Sequence, residues 1–332
     1  VLLCWVTETG DLKHYRPLND KSIKDKSVSN IHREYTYIHD HFVCIRNIDP
    51  LPANLRDVRE ECFSFWLRGS VETTIATKVD VSYSPAESAG EIIDSSQKRY
   101  DCRQICGFRV HYEPGVFEDV SDFESTITAD INQLSAMLPA QACDKLQADT
   151  AIYINKSLTY GTTKHPIIAT GCCYHPRGGV DWLRNNGLAV CKEGCVEIFS
   201  ASSYLQSRQH WGTGGVLVHE FSHVYHDKHC RDGYDCEDIR NAYINAMKAK
   251  LYDSVCVHGP QGLGADGLSK ATAKAYACTN CMEFFAELSV AALYMADEEV
   301  EFNKWYPHNR AQLRQHDPAS LAVLDKVWNQ YE

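Results

Sequence analysis

Apolar and polar positions along the chain follow two regimes. Up to about residue 110, apolar positions partly alternate with polar ones. "LLCWVT", "LKHYRPL", "EYTYIHDHFVCIRNI", "CFSFWLRGS" and "TTIATKVDVSYSP" are rich in β-branched and aromatic residues, and Gly, Pro, Asn and Asp separate them. This pattern predicts an antiparallel β-sandwich over residues 1–114. The pattern changes at Pro114-Gly115. Between 117 and 138, Phe123, Ile127, Ile131, Leu134 and Leu138 recur at helical spacing and share one face. Asp122 stands at the N-cap position and Pro139 ends the run. "TAIYINKSL" reads as a strand. "LAVCKEGCVEIFS" reads as a hairpin with Lys192-Glu193-Gly194 at its tip. Helices are expected across "GGVLVHEFSHVYHDKHC", "DCEDIRNAYINAMKAKLYDSV" and "CMEFFAELSVAALYM", with the Gly-rich loop "HGPQGLGADGLS" between the last two. Residues 115–332 therefore read as a mainly helical domain with a small sheet. The fold class is α+β.

Composition narrows the function. The chain has 332 residues, 44% hydrophobic and 23% charged, with a net charge of −11. It can bury a real core, and it offers no dense cationic face for a phosphate backbone, which argues against nucleic acid. The apolar run "FFAELSVAALYMA" carries Glu287 and reads as a buried helix, so no membrane span is expected. The opening "VLLCWV" is too short for the apolar region of a signal peptide and has no basic lead. The expectation is that any leader precedes it.

Fifteen cysteines favour an oxidising, secreted setting with disulfides. Cys102/Cys106, Cys191/Cys195, Cys230/Cys236 and Cys278/Cys281 are close in sequence, and Cys172 and Cys173 would serve two separate bridges. The sequon Asn155-Lys156-Ser157 fits the same route.

The chemistry concentrates in His219-Glu220-Phe221-Ser222-His223. Residues i and i+4 lie one above the other on a helix, so two imidazoles can grip one ion. Glu220, next to the first ligand, can reach a water on that ion and take its proton. Zinc suits the donors and lowers the water's pKa toward neutrality. Composition alone yields such a motif in only about one chain in twenty.

Four residues are candidates for the third ligand. His229 sits where the metzincin pattern has its third histidine, but that pattern needs glycine where His226 stands. His226 lies on the same helix face two turns from His219, which suits a structural or supporting role. Asp266 lacks the tyrosine and glycine that follow such an aspartate in Asp-zincins. Glu283 is the strongest, on a separate helix 60 residues beyond His223, the gluzincin arrangement. Glu287 follows four residues later on the same face and could orient a ligand histidine. Phe284, Phe285 and Leu288 make that helix apolar enough to be buried, where an unpartnered carboxylate is costly.

"YACTNCMEFFAE" together with the HEFxH motif resembles the anthrax lethal factor catalytic domain and its small relatives over about residues 120–300. The matching positions are His219, Glu220, Phe221, His223, Tyr276, Asn280, Glu283, Phe284, Phe285, Ala286 and Glu287. The resemblance implies a zincin-like domain, zinc on His219, His223 and Glu283, Glu220 as general base and Tyr276 as oxyanion stabiliser. It also implies that the strand "CVEIFS" forms a cleft edge for an extended peptide. The first 48 residues, "LLCWVTETGDLKHYRPL" and "REYTYIHDHFVCIR", resemble the start of the von Hippel–Lindau β domain, which implies a sandwich there.

The expectation is a secreted zinc endopeptidase acting on protein or peptide substrates, with an N-terminal domain that binds a protein or glycan. Two alternatives stand beside it. One is a non-catalytic extracellular binding protein on a metallopeptidase-like scaffold. The other is a metzincin-like peptidase using His229.

Overall fold

The computed structural model describes residues 2–6, 12–17, 90–258, 272–296 and 299–329. The chain divides into two units, Val1–Ala89 and Gly90–Glu332. In the first, β1 (Leu2–Val6) pairs antiparallel with β2 (Leu12–Pro17). The rest of the expected sandwich up to residue 89, and most of the stretch resembling the von Hippel–Lindau domain, lies outside the described residues, as does Asp266.

The expected boundary at 114 moves to 89. β3 (Asp101–Ile105) and β4 (Phe108–Tyr112) do not belong to the first unit. They open a mixed five-stranded sheet completed by β5 (Ala151–Ile154), β8 (Cys172–Tyr174) and β9 (Val196–Ile198), in the order β3-β4-β5-β9-β8. The β4/β5 and β5/β9 pairs are parallel, and β8 runs antiparallel to β9. Strand alternation looks the same whichever sheet receives the strand, so the pattern could not assign β3 and β4. A separate hairpin joins β6 (Leu158–Thr162) to β7 (His165–Ala169). The second unit is thus a mixed α+β structure.

The stretch expected to be helical over 117–138 is two helices, α1 (Val116–Asp119) and α2 (Phe123–Met137). Phe123, Ile127, Ile131 and Leu134 are fully buried, as their spacing requires. Asp122 holds the N-cap position at φ +61°, but its side chain makes no capping bond. Pro139 ends α2 and also caps a helix that the pattern did not reveal, α3 (Ala140–Asp149). The expected hairpin over 188–200 is not one. Val190–Lys192 forms a 3₁₀ turn, and β9 follows it between β5 and β8.

The short helices α4 (Val180–Asn185) and α5 (Ala201–Ser207) lead into the histidine helix, α6 (Gly215–Lys228). α7 (Glu237–Ala249), α8 (Cys281–Leu293), α9 (Arg310–His316) and α10 (Pro318–Trp328) complete the helical layer. α6 lies in the core between sheet and helices. Phe221 meets Phe108 of β4 with ring centroids 4.9 Å apart. Tyr225 stacks on Trp328 of α10 at 4.1 Å. No described helix is long and apolar enough to cross a membrane.

The start of α6 is anchored by Asp130 of α2, a fully buried carboxylate. Asp130 accepts hydrogen bonds from the Gly214 N–H (2.8 Å), the Tyr204 hydroxyl (2.8 Å) and two Arg208 nitrogens (2.9 and 2.8 Å). Gly214 sits at φ +81°, and a Cβ there would lie 2.8 Å from the Asp130 carbonyl oxygen, so only glycine fits. The signal for this anchor was in the sequence. Asp130 falls three residues after Ile127 and four before Leu134, on the apolar stripe, where a carboxylate needs partners. Asp130→Ala is expected to destabilise the fold by about 3–5 kcal/mol, because it strands the Arg208 charge. Urea unfolding of the metal-free protein measures this.

Candidate metal centre

α6 carries His219 and His223 one turn apart, and α8 packs beside it. α8 begins at an N-cap built by Asn280, whose side-chain oxygen accepts from the Met282 and Glu283 N–H groups at 2.9 and 2.8 Å. This cap fixes the first turn of α8, and Glu283 stands in that turn. The Glu283 carboxylate reaches both histidines. Its Oε2 lies 3.2 Å from His219 Nε2 and 3.3 Å from His223 Nε2. The two Nε2 atoms are 3.2 Å apart.

These three atoms form a nearly equilateral triangle. In a tetrahedral site with bonds of about 2.0–2.1 Å, two ligand atoms are about 3.3–3.4 Å apart. The triangle therefore has the size of one face of such a tetrahedron. Glu283 Oε2 faces both Nε2 atoms, and a carboxylate oxygen in this position is satisfied either by a protonated ring or by a cation held between the three atoms. His219, His223 and Glu283 thus form a group that could hold a metal ion.

The electrostatics agree with the geometry. Burial works against the charge on Glu283, but the two imidazoles outweigh it and hold its carboxyl well below the usual carboxylate range. Burial likewise opposes charge on His219. There Glu283 and Glu287 outweigh it and raise the ring's pKa well above the imidazole range. Together the two carboxylates supply negative charge that a divalent cation would balance as well as protons do. Glu287 is 1% exposed, and its Oε1 lies 3.2 Å from His219 Nδ1, the nitrogen facing away from the triangle. That contact favours the ring orientation that presents Nε2.

Glu220 is buried beside the triangle. Burial pushes its carboxyl above the usual range, while the His219 and His223 rings pull it back. Tyr276 stands in a 3₁₀ turn just before α8. Its hydroxyl donates to Glu283 Oε1 at 3.3 Å. Partial burial and the Glu283 charge keep the phenol protonated far above neutrality. The residue remains 45% exposed, so its hydroxyl is at the rim of the site.

Two expected participants are elsewhere. His229 is the C-cap of α6, and its Nε2 pairs with Asp149 Oδ2 at 3.1 Å. The helix runs on without the turn a glycine at 226 would give, and it carries His229 away from His219. His226 is fully buried between Tyr234 and Phe285, with ring centroids 5.0 and 4.9 Å away. Neither of its nitrogens has a hydrogen-bond partner among the described residues. Burial lowers its pKa to about 3, so the ring packs as a neutral core side chain and holds no ligand in place.

The strand expected at the cleft edge is also corrected. β9 has neighbours on both sides, and the terminal strand on that side of the sheet is β8. β8 is close to Glu220, whose charged form is favoured by the backbone N–H of Tyr174. The Tyr174 hydroxyl donates to Asp227 of α6 at 2.7 Å and ties strand to helix.

Behind β9 is a polar cluster that sequence reasoning missed. Glu197 is fully buried and ion-paired with the fully buried Lys192 and with His175, at 2.5 and 2.7 Å. Asn155 donates to Glu197 at 2.7 Å and accepts from Tyr100 at 2.6 Å. Asn155 is itself fully buried, so its sequon cannot carry a glycan in this fold. The twelve cysteines from Cys102 to Cys281 are all thiols in the structure.

Burial alone would raise the Glu197 pKa, but His175 and Lys192 bring it below its ordinary value of 4.5. A depressed carboxylate contributes stability that is present above its unfolded pKa and is lost as pH falls through the folded one. Wild-type stability should therefore fall as pH drops below 4.5, and a Glu197→Gln variant should show a shallower fall. Urea unfolding between pH 3 and 7 with chelator present compares the two slopes. Equal slopes would remove Glu197 from the account.

No protein-family model and no curated protein matches the chain.

Proposed function

We propose that the protein is a zinc-dependent endopeptidase with a zincin-like catalytic domain. The observation that carries this reading is the triangle of His219 Nε2, His223 Nε2 and Glu283 Oε2 at 3.2–3.3 Å, with Glu220 buried alongside. Two imidazoles and one carboxylate form a donor set typical of catalytic zinc. When bound there, such an ion lowers the pKa of a water and polarises a carbonyl.

The chain's own groups have distinct tasks. Glu220 takes a proton from the attacking water and returns it to the leaving amine. Its raised pKa brings it closer to the operating pH of a general base. The Tyr276 hydroxyl turns from Glu283 to donate to the negative oxygen developing on the scissile carbonyl. Asn280 and Glu287 hold Glu283 and His219 in position. An extended peptide can pair with the backbone of β8, whose outer edge has no strand neighbour among the described residues. This places an oligopeptide beside Glu220 and favours an endopeptidase.

Secretion is part of the proposal and rests on the cysteine count alone. A thiol titration of protein from its native source decides it.

The direct test is hydrolysis of denatured protein substrates, with and without a chelator. Cleavage that stops with chelator and returns with zinc is expected. Metal-loaded protein that cleaves no peptide would favour the binding-protein alternative. Tyr276→Phe is expected to lower kcat by about 10²–10³-fold with metal content unchanged. Loss of metal in this variant would make Tyr276 a support for Glu283 and not an oxyanion donor.

A further inference from the structure

A second group of metal-type donors lies outside the candidate centre. We propose that His258, Glu301 and His308 bind a second divalent transition-metal ion, which fastens residues 301–308 to the segment that follows the short strand Val255–Cys256. One donor atom from each residue falls within a 4.8 Å span. His258 Nε2 and Glu301 Oε2 are 3.2 Å apart, and the two imidazole rings have centroids 4.4 Å apart.

His308 is set up as a ligand. It is 1% exposed, and its Nδ1 lies 2.8 Å from the Asn303 carbonyl oxygen. A carbonyl only accepts, so Nδ1 carries a proton, and in the neutral form of the ring the lone pair that can bind a metal is on Nε2. A ligand histidine is oriented by this kind of bond from its other nitrogen.

The backbone holds the three residues in register. The His258 N–H donates to the Lys304 carbonyl at 2.9 Å, and Val257 forms an antiparallel bridge with Trp305. The Asn303 N–H donates to the His308 carbonyl at 2.8 Å and closes the loop on itself. Little reorganisation is then left for the ion to drive. The His258 and Glu301 side chains are 24% and 36% exposed, which leaves the ion a route in and room for water to complete its shell.

The donor chemistry selects the ion class. Two imidazoles and a carboxylate suit zinc, cobalt, nickel or copper, whereas calcium and magnesium require an oxygen cage. The ion's task is structural. The same loop touches both elements of the candidate centre: the Gly212 N–H, ahead of α6, donates to the Phe302 carbonyl at 2.6 Å. The Asn303 amide donates to the Glu287 carbonyl of α8 at 3.2 Å. An ion at His258, Glu301 and His308 would brace that contact.

Metal counting on the full chain tests this, after zinc loading and gel filtration at pH 7. Wild type should hold two ions and Glu283→Ala one. The double variant His258→Asn/Glu301→Gln, changed only at partly exposed positions, should also hold one. Combining all three substitutions should leave none. Cobalt loaded into Glu283→Ala should give a visible absorption band that His258→Asn/Glu301→Gln abolishes. The proposal is overturned if the double variant keeps the wild-type count, or if Glu283→Ala holds no ion. This outcome is separable from the catalytic reading. A single ion that survives Glu283→Ala and disappears with the double variant supports this site and sinks the peptidase centre. A single ion with the reverse behaviour does the opposite.

Discussion

Glu220→Gln should hold the full wild-type complement of metal and lose about 10²–10⁴-fold in peptide hydrolysis. Two separate features predict the two halves of this result. Metal retention follows because Glu220 is not part of the triangle, whose corners are His219, His223 and Glu283. Glutamine also fills the same buried space, so α6 keeps its packing. Loss of rate follows because an amide cannot accept the proton of an attacking water. The effect should fall on kcat, with substrate affinity little changed, since the carboxylate acts on the water and not on the peptide. Metal analysis beside steady-state kinetics on one peptide checks both halves. A variant that keeps its metal and cleaves at the wild-type rate would refute the general-base assignment. A variant that loses its metal would place Glu220 among the ligands.

Glu283→Ala should abolish metal binding at the triangle, and with it all hydrolysis. The residue supplies the one carboxylate that both imidazoles face at 3.2–3.3 Å. Without it, only the two imidazoles remain to hold a dication. Glu287→Gln should behave differently. Its carboxylate contacts only the far nitrogen of His219, so affinity should fall about 10–100-fold while the site survives. His229→Ala should leave affinity unchanged, because that ring pairs with Asp149 at the far end of α6. Competition with a fluorescent zinc chelator orders the three variants. If His229→Ala weakens binding as strongly as Glu283→Ala, the third ligand has been misassigned.

Much of the candidate centre could be read from the sequence because its spacing is helical. The separations from His219 to His223 and from Glu283 to Glu287 each place two side chains on one face, whatever surrounds the helix. The apolar neighbours of Glu283 showed that its helix would be buried, which made an unpartnered carboxylate there improbable on energetic grounds. His229 stayed open in the sequence because one missing glycine argues against a turn without showing where the chain goes. The helix itself shows it, by continuing to Lys228.

The sheet was much less legible. Strand pattern reports that a segment is extended and half-buried, but pairing depends on partners far away in sequence. β3 and β4 therefore looked like the end of the first unit and belong to the second. β9 looked like an edge and is flanked on both sides, because β8, more than twenty residues earlier, takes the outer position. Asn155 looked like a surface acceptor for a glycan. Only the arrival of Glu197 and Tyr100 from other segments shows that it is sealed in the core.

The sequence by itself determined what lies within a turn or two of each residue: the histidine pair, the adjacent glutamate, the two acids of α8 and the apolar stripes that bury both helices. Tertiary structure decided which distant groups meet. It brought Glu283 onto the two imidazoles, put Asp130 under the start of α6, made β8 the sheet's edge and gathered His258, Glu301 and His308. The physical reason is range. Helical periodicity is imposed by the backbone over a few residues, whereas contacts between segments far apart in sequence are selected by the packing and polar satisfaction of the whole fold.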